Sequence, residues 1–167
     1  SRLSGDIAVP LYDEDAASQK KLSHLDDTIS CLASSTNYIW AASNNILVRY
    51  DLDQLEPEEF PFIVGKDQVN GVIIYSISVI SDTEAWIGTN KGLYFFDSNT
   101  ASFTPISLYN GRISDTSSFL VRSIYQDADN TLWIGTYGAG LVHFSPVEGI
   151  LSQYRHSDVP RSLSNDI

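Results

Sequence analysis

Three tryptophans recur along the 167-residue chain at an almost constant interval. Trp86 follows Trp40 by 46 residues, and Trp133 follows Trp86 by 47. An interval of this size is typical of proteins built from repeated supersecondary units, each of which buries its apolar surfaces against its neighbours. The spacing therefore constrains the fold more strongly than any other property of the sequence.

The residues around each tryptophan repeat as well. A serine stands ten residues before each tryptophan, and downstream a leucine is followed three positions later by an aromatic residue. The matching positions are Ser30, Ser76 and Ser123 for the serine, Leu47, Leu93 and Leu141 for the leucine, and Tyr50, Phe96 and Phe144 for the aromatic residue. So many coincident positions identify a true internal repeat.

Each repeat contains short apolar runs separated by turn-forming residues. The runs cover residues 75–80, 85–89, 93–96 and 103–108 in the second copy, and 121–126, 132–136, 141–144 and 150–155 in the third. Strand-length runs bounded by Gly, Pro, Asn and Asp are typical of antiparallel hairpins. Four strands in about 40–50 residues make up one blade of a β-propeller. The sequence therefore predicts an all-β segment of a propeller with four-stranded antiparallel blades.

The repeat divides the chain into three full blades and two partial ones. We expect blades at residues 27–72, 73–119 and 120–161, the outer strands of a preceding blade at 1–26, and the lead-in to a further blade at 162–167. Since a propeller closes with about four to eight blades, this arc is too short to close alone. We therefore expect an excised part of a larger propeller, completed by the remaining blades of its parent or by a second copy.

Seven of the repeated residues are expected to have a structural role. A tryptophan supplies a large flat side chain between neighbouring blades, and a glycine lets two backbones approach closely. The serines are expected in the first strand of each blade, nearest the propeller axis, where only small residues fit. The seven residues are Trp40, Trp86, Trp133, Gly88, Gly135, Thr89 and Thr136.

The third copy resembles the repeat of a known family. A turn rich in Asp and Asn leads into Leu132-Trp133-Ile134-Gly135-Thr136 and then Gly140-Leu141. This run resembles the two-component regulator propeller repeat. Residues 85–93 match the same pattern, and residues 39–43 are a degenerate copy without the glycine.

The resemblance implies a role in sensing. The family forms the periplasmic sensor region of hybrid two-component systems in Bacteroides-type bacteria, where a membrane helix and a histidine kinase follow. Its members often respond to oligosaccharides from polysaccharide breakdown. For this chain the resemblance implies a non-catalytic, extracytoplasmic segment of a homodimeric parent, with the kinase outside the chain. A propeller enzyme of the lyase or hydrolase type and a protein-interaction scaffold remain open as alternatives.

Composition excludes several other classes of function. The formal charge of −11 and the pI of 4.4 argue against a nucleic-acid partner or contact with an anionic membrane, because both require clustered Lys and Arg. One cysteine excludes an intrachain disulfide framework and a four-cysteine zinc site. No apolar run approaches the length of a membrane span.

The titratable residues do not suggest catalysis. The carboxylate pairs Asp127/Asp129 and Asp82/Glu84 lie in turns after the first strands, where acidic side chains commonly cap the backbone. The histidines are scattered along the chain, so neither a metal site nor a catalytic triad is predicted. We expect no catalytic residue, no metal and no cofactor.

The best candidates for ligand contacts lie in the long connections that join one blade to the next and in the turn after the second strand. These connections cover residues 60–71, 109–119 and 155–163. Aromatic rings and hydrogen-bond donors occur together there, a mixture suited to a sugar or a protein partner. The candidate contacts are Tyr109, Asn110, Arg112, Tyr137, Arg155 and His156.

Overall fold

The computed structural model describes residues 28–54, 56–108 and 119–156. Within these ranges the chain consists of strands joined by turns and contains no helix, and therefore none that could cross a membrane. The strands form three four-stranded antiparallel sheets and one two-stranded hairpin. The prediction of an all-β propeller segment with four-stranded blades is confirmed. The partial blades predicted at residues 1–26 and 162–167 lie outside the described residues.

Each four-stranded sheet is a meander in which consecutive strands pair. Blade 1 contains β1 (Cys31–Ser34), β2 (Tyr38–Ser43), β3 (Ile46–Asp51) and β4 (Pro57–Pro61). The hairpin contains β5 (Ile63–Val64) and β6 (Asp67–Gln68). Blade 2 contains β7 (Ile74–Val79), β8 (Glu84–Thr89), β9 (Gly92–Asp97) and β10 (Ser102–Ile106). Blade 3 contains β11 (Leu120–Gln126), β12 (Leu132–Tyr137), β13 (Leu141–Ser145) and β14 (Gly149–Tyr154).

The meander places the loops of each blade at two opposite rims. Because consecutive strands run antiparallel, the turns after the first and third strands share one rim, which we call the turn rim. In blade 2 these turns cover residues 80–83 and 98–101. The turn after the second strand and the connections between blades share the other rim, which we call the connection rim. The candidate contacts Tyr137 and Arg155 belong to the connection rim.

Blades 1 and 2 pack face to face through an apolar core. Trp40 and Phe60 of blade 1 lie in one buried cluster with Ile87 and Phe96 of blade 2. The Trp40 and Phe96 rings meet edge to face, with centroids 6.0 Å apart and an interplanar angle of 82°. Edge-to-face packing is a preferred geometry for aromatic pairs. Trp40 has no exposed surface, so blade 2 and its own blade cover it completely.

Blades 2 and 3 repeat this arrangement. Trp86 and Leu93 of blade 2 share a buried cluster with Val121, Leu132 and Ile134 of blade 3. The strands are therefore apolar on the faces that meet, which is why a single blade could not be stable by itself.

The hairpin β5–β6 lies in the connection between blades 1 and 2, where the sequence predicts a long connection without strands. Phe62, just before the hairpin, is fully buried. Its ring stacks on Phe103, with centroids 4.2 Å apart, and meets Tyr94 edge to face at 4.8 Å. Because both partners belong to blade 2, the connection is fixed onto that blade by one aromatic side chain.

The repeated glycines face the repeated serines across the first two strands. Ser76 pairs with Gly88, and Ser123 pairs with Gly135. A Cβ atom on either glycine would overlap the hydroxyl oxygen of its serine. In blades 2 and 3 the serine therefore needs glycine opposite it. Blade 1 differs, because Ala42 stands at the glycine position and Ser30 lies just before β1, where its hydroxyl donates to the Ala42 carbonyl at 3.0 Å.

The repeated threonines close the turn after the second strand. The Thr89 hydroxyl donates to the Gly92 carbonyl at 2.9 Å, and the Thr136 hydroxyl donates to the Gly140 carbonyl at 2.7 Å. Both threonines are buried, so each hydroxyl satisfies a carbonyl with little access to water. The threonines thereby hold the turns of the connection rim in place.

Candidate functional site

The connection rim of blade 3 brings together part of the predicted ligand site. The Arg155 guanidinium donates to the Gly138 carbonyl at 2.9 Å, which joins the exit of β14 to the turn after β12. Tyr137, at the end of β12, is 49% exposed, and Arg155 and His156 are exposed beside it in the chain segment that leaves the blade. The candidates Tyr109, Asn110 and Arg112 lie outside the described residues.

A glycine sets the shape of this rim. Gly140 has φ +74°, a left-handed conformation that favours glycine. A Cβ atom at Gly140 would overlap the Tyr154 carbonyl oxygen, so the turn lies directly against the end of β14. The Gln153 side chain adds a second link by donating to the Ala139 carbonyl at 2.8 Å. The turn and the exit strand therefore form one rigid unit that presents Tyr137 and Arg155.

A cleft of about 370 Å³ opens at the turn rim between blades 1 and 2. It lies between the turns that follow β1 and β7, opposite the predicted ligand contacts. Hydroxyl groups and one carboxylate dominate its lining, which consists of Ser34, Ser35, Thr36, Val79, Ile80, Ser81 and Asp82. The sequence analysis did not predict this cleft, because its two walls belong to different blades. Asn37 and Asp82, which meet across the blade boundary there, are 45 residues apart in the sequence.

Asp82, at the edge of this cleft, is engaged by blade 1. Its carboxylate accepts from the Asn37 side-chain amide at 2.6 Å and from the Asn37 backbone N–H at 3.4 Å. The nearby polar side chain of Ser35, followed by the hydrogen bonds from Asn37, holds the pKa of Asp82 below its ordinary value. Because its pKa is low, the Asp82 carboxylate is ionised at neutral pH, and its bonds to Asn37 join blade 2 to blade 1.

Arg49 forms a second bridge between the same blades. One terminal nitrogen donates to the Asp82 carbonyl at 2.7 Å and to the Ser98 hydroxyl at 2.6 Å. The other lies 2.6 Å from the Glu58 carboxylate. The Tyr38 ring covers one face of the guanidinium, 4.5 Å from its central carbon. No sequence motif marks Arg49 as a bridge, because its partners Asp82 and Ser98 belong to the next blade.

Each tryptophan has a π partner on the neighbouring strand, and Arg49 is one of these. Arg49 pairs with Trp40 across β2 and β3, Phe95 pairs with Trp86, and His143 pairs with Trp133. The His143 and Trp133 rings are stacked, with centroids 4.2 Å apart and an interplanar angle of 7°. One position of the repeat therefore carries a cation, an aromatic ring or an imidazole, always against tryptophan.

Trp133 lies on a face of blade 3 that no described blade covers. Leu132 and Ile134, its neighbours in β12, point into the core shared with blade 2, so Trp133 points the other way. Around it on the same face, Tyr125 is 64% exposed and Tyr154 is 47% exposed. We call this surface, made of Ser123, Tyr125, Trp133, His143 and Tyr154, the outer face of blade 3.

Asp127 and Asp129 cap their own turn, as predicted, but the prediction was wrong for the other pair, because the Asp82 carboxylate bonds to Asn37 of blade 1 and Glu84 belongs to β8. Asp129 accepts from the Thr131 hydroxyl at 2.7 Å and from the Thr131 backbone N–H at 3.1 Å. These bonds, that from the hydroxyl first, lower the pKa of Asp129. Asp127 accepts from the Ala128 N–H at 2.7 Å. Among the described residues, no three His, Cys, Asp or Glu side chains form a group that could hold a metal ion.

Two further residues were missed by the sequence analysis. Tyr75 in β7 and Arg122 in β11 occupy the same position of the repeat, eleven residues before the tryptophan. The Arg122 guanidinium lies over the Tyr75 ring, with its central carbon 4.1 Å from the ring centroid. The sequence does not predict this contact, because it depends on how the first strands of two neighbouring blades lie against each other.

Comparison with known proteins identifies the repeat. The family model of the two component regulator propeller matches residues 116–138, which include the whole first and second strands of blade 3. The repeat in blade 3 is therefore similar to the two component regulator propeller repeat. The resemblance predicted from Leu132-Trp133-Ile134-Gly135-Thr136 is thereby confirmed. No curated protein sequence matches the chain significantly.

Solved structures share the fold. Two solved structures of the extracellular domain of BT4673 from B. thetaiotaomicron, described in one as a proposed hybrid two component system and in the other as a proposed one component system, align with TM-scores of 0.60 and identities of 25% and 24%. In each case the alignment covers 78% of this chain and 18% of the solved chain. A chain of the mitotic checkpoint complex aligns at 8% identity with a TM-score of 0.50, over 80% of this chain and 45% of that one. The chain thus spans about a fifth of the length of the bacterial domain that it resembles.

Proposed function

We propose that this chain is a non-catalytic segment of the extracytoplasmic propeller of a hybrid two-component sensor. The observation that carries the proposal is the two-component regulator propeller repeat in blade 3. The likeness to an extracellular domain of a proposed hybrid two component system supports it. In this proposal the segment lies in the periplasm, and its parent is an inner-membrane protein with a histidine kinase outside the chain.

The ligand in this proposal is an oligosaccharide held at the connection rim. Tyr137 offers an exposed aromatic ring, and Arg155 and His156 offer hydrogen-bond donors a few residues from the same turn. Sugars present apolar ring faces and many hydroxyls, so aromatic stacking and donors together suit them. Tyr109, Asn110 and Arg112 complete the proposed set of contacts.

The signal in this proposal is mechanical. The blades are joined by side chains that bridge them, Arg49 and Asp82 above all, so a ligand that moves one blade also changes the contacts of the next. The acidic side chains of the turns support a binding role over an enzymatic one, because Asp82 and Asp129 already accept hydrogen bonds from their neighbours. A propeller enzyme of the lyase or hydrolase type is the alternative that a turnover assay would reveal.

The partner in this proposal covers the outer face of blade 3. Blade 2 covers Trp40 and blade 3 covers Trp86, which supports a further blade over Trp133 in this proposal. That blade belongs to the parent propeller or to a second copy in a homodimeric parent. A pure interaction scaffold would use the same face without binding a sugar.

The proposal is tested by thermal unfolding of the protein with a panel of neutral and acidic oligosaccharides, followed by chromatography of each sugar. We expect at least one oligosaccharide to raise the melting temperature and to be recovered intact, because a ligand that binds only the folded state stabilises it. Recovery of cleaved sugar would favour the enzyme. Stabilisation by no sugar would contradict the glycan-sensing role.

A further inference from the structure

The first strands of blades 2 and 3 contain a β-bulge at the same position of the repeat. In β7 the pairing passes from Ile74 to Ser76, which leaves Tyr75 as the extra residue. In β11 it passes from Val121 to Ser123, which leaves Arg122 as the extra residue. A bulge re-aims the side chain of the extra residue, and bulges are common next to binding sites. Tyr75 and Arg122 thus depart from the regular alternation of side chains along their strands, and they do so at the same position of neighbouring blades.

These two side chains meet at the inner edge of the arc, which we define as β1, β7 and β11. Each of these strands is the free edge of its sheet. The Arg122 guanidinium lies over the Tyr75 ring at 4.1 Å, close enough for a cation–π contact. The matching residue of blade 1 is Ile29, which is 45% exposed and carries no charge. The positive charge of the inner edge is therefore placed at the boundary between blades 2 and 3.

The guanidinium of Arg122 is held against the Tyr75 ring, and no described carboxylate neutralises it. Arg122 is exposed, and across the described part of the chain it has no hydrogen-bond acceptor and no carboxylate within 4.0 Å. The chain holds 21 acidic residues against 10 basic ones, so acidic partners are abundant. Arg49, by contrast, uses its terminal nitrogens on a carbonyl, a hydroxyl and a carboxylate. Within the described residues the N–H donors of Arg122 thus have no acceptor, while the Tyr75 ring fixes the plane in which they lie.

A planar guanidinium with free N–H groups matches the two oxygens of a carboxylate. Stacking on a tyrosine lowers the entropy that a flexible side chain would lose on binding. We propose that Arg122 and Tyr75 form an anion subsite that takes the carboxylate of an acidic oligosaccharide. The inference rests on the proposed function and narrows its ligand to sugars that contain uronic acid.

The test is calorimetric titration of the full chain with a trimer of galacturonic acid and with the methyl ester of the same trimer. We expect the acid to bind at least tenfold more tightly than the ester, because the ester cannot accept a charge-assisted pair of hydrogen bonds. Arg122→Gln is expected to weaken binding of the acid at least tenfold. Arg122→Lys is expected to recover only part of the loss, since an ammonium has no planar pair of donors.

Lys66→Gln is the matched control, because Lys66 is an exposed cation in the β5–β6 turn, away from the inner edge. It removes the same charge and is expected to leave binding unchanged. Tyr75→Leu keeps the guanidinium but removes its platform, and is expected to weaken binding severalfold. This second variant tests the subsite without deleting the charge, and circular dichroism of each variant reports whether it is folded.

Equal binding of acid and ester, unchanged binding in Arg122→Gln, or no binding of the acid would overturn the subsite. In each case a neutral oligosaccharide that still raises the melting temperature of the wild-type protein would leave the proposed sensing role intact. If neither acidic nor neutral sugars bind, the subsite and the proposed glycan ligand both fail.

Discussion

Ser76 and Gly88 face each other across β7 and β8 so closely that the serine hydroxyl occupies the space of the missing glycine side chain. A Cβ atom at Gly88 would also lie 2.7 Å from Cγ1 of Val121 and 3.0 Å from the Val121 carbonyl oxygen, both in blade 3. One glycine therefore controls the fit within blade 2 and the distance between blades 2 and 3.

Replacement of Gly88 by alanine should destabilise the chain. The added methyl group would meet Ser76 and Val121 together, and overpacking of this kind costs about 1–3 kcal/mol. Chemical denaturation of the variant and the wild type measures the difference in free energy of unfolding.

Gly135→Ala is the matched control for this prediction. A Cβ atom there would meet only the Ser123 hydroxyl below 3.4 Å, and Ser123 is exposed and can turn aside. We expect a clearly smaller loss at Gly135 than at Gly88. Equal losses at the two glycines would show that contact with the next blade is not the cause.

Arg49→Met should also destabilise the chain. The change removes donors to the Asp82 carbonyl and the Ser98 hydroxyl at the boundary of blades 1 and 2, and hydrogen bonds that involve a charged group contribute about 1.5–3 kcal/mol each. Glu58→Gln should cost less than about 1 kcal/mol, because Glu58 is half exposed and ion pairs at the surface contribute little. A loss in Glu58→Gln as large as that in Arg49→Met would contradict the assignment of the bridge to the Asp82 and Ser98 contacts.

The contribution of Asp82 should depend on pH. Because its pKa is lowered in the folded protein, the ionised carboxylate stabilises the fold above its ordinary value of 3.8, and this stabilisation is lost as the pH falls through the folded-state pKa. Asp82→Asn should therefore lower the melting temperature at neutral pH, and its difference from the wild type should shrink in acid. The exposed carboxylate of Asp67 supplies the control variant, Asp67→Asn. A difference for Asp82→Asn that stays constant from neutral pH into acid would contradict the prediction.

The two tryptophans Trp86 and Trp133 should differ in their contribution to stability. Trp86 is 7% exposed and lies between two blades, so Trp86→Ala should cost about 3–5 kcal/mol. Trp133 packs on His143 and Tyr154 at the outer face, and Trp133→Ala should cost less in the 167-residue chain. In a longer parent whose next blade covers Trp133, the two costs should become similar. A low cost for Trp133→Ala in that parent would contradict the proposed covering of the outer face.

The blades could be predicted from sequence because the repeat records them directly. A tryptophan every 46 or 47 residues, with glycine or alanine two positions later, fixes both the unit and the neighbours of its second strand. Turn residues such as Asp129 and Asn130 then separate the strands, since their backbone preferences are local. In blades 2 and 3 these local signals predict the strand ends to within two residues of the observed ends.

The contacts between blades could not be predicted in the same way. Arg49 and Asp82 are 33 residues apart, and their contact depends on how two sheets stack. The bulges at Tyr75 and Arg122 arise from the pairing register, which no periodicity in the sequence reveals. The hairpin β5–β6 is short and depends on Phe62, whose burial between Tyr94 and Phe103 is a tertiary effect.

The central claim is that the propeller senses a ligand and does not transform it. The most direct measurement is phosphorylation of the kinase that we propose for the full-length parent, with and without the oligosaccharide that most strongly stabilises the propeller. The account predicts that the sugar changes the level of phosphorylation severalfold and is recovered unaltered after many hours. Consumption of the sugar, or an unchanged level of phosphorylation at saturating sugar, would contradict it.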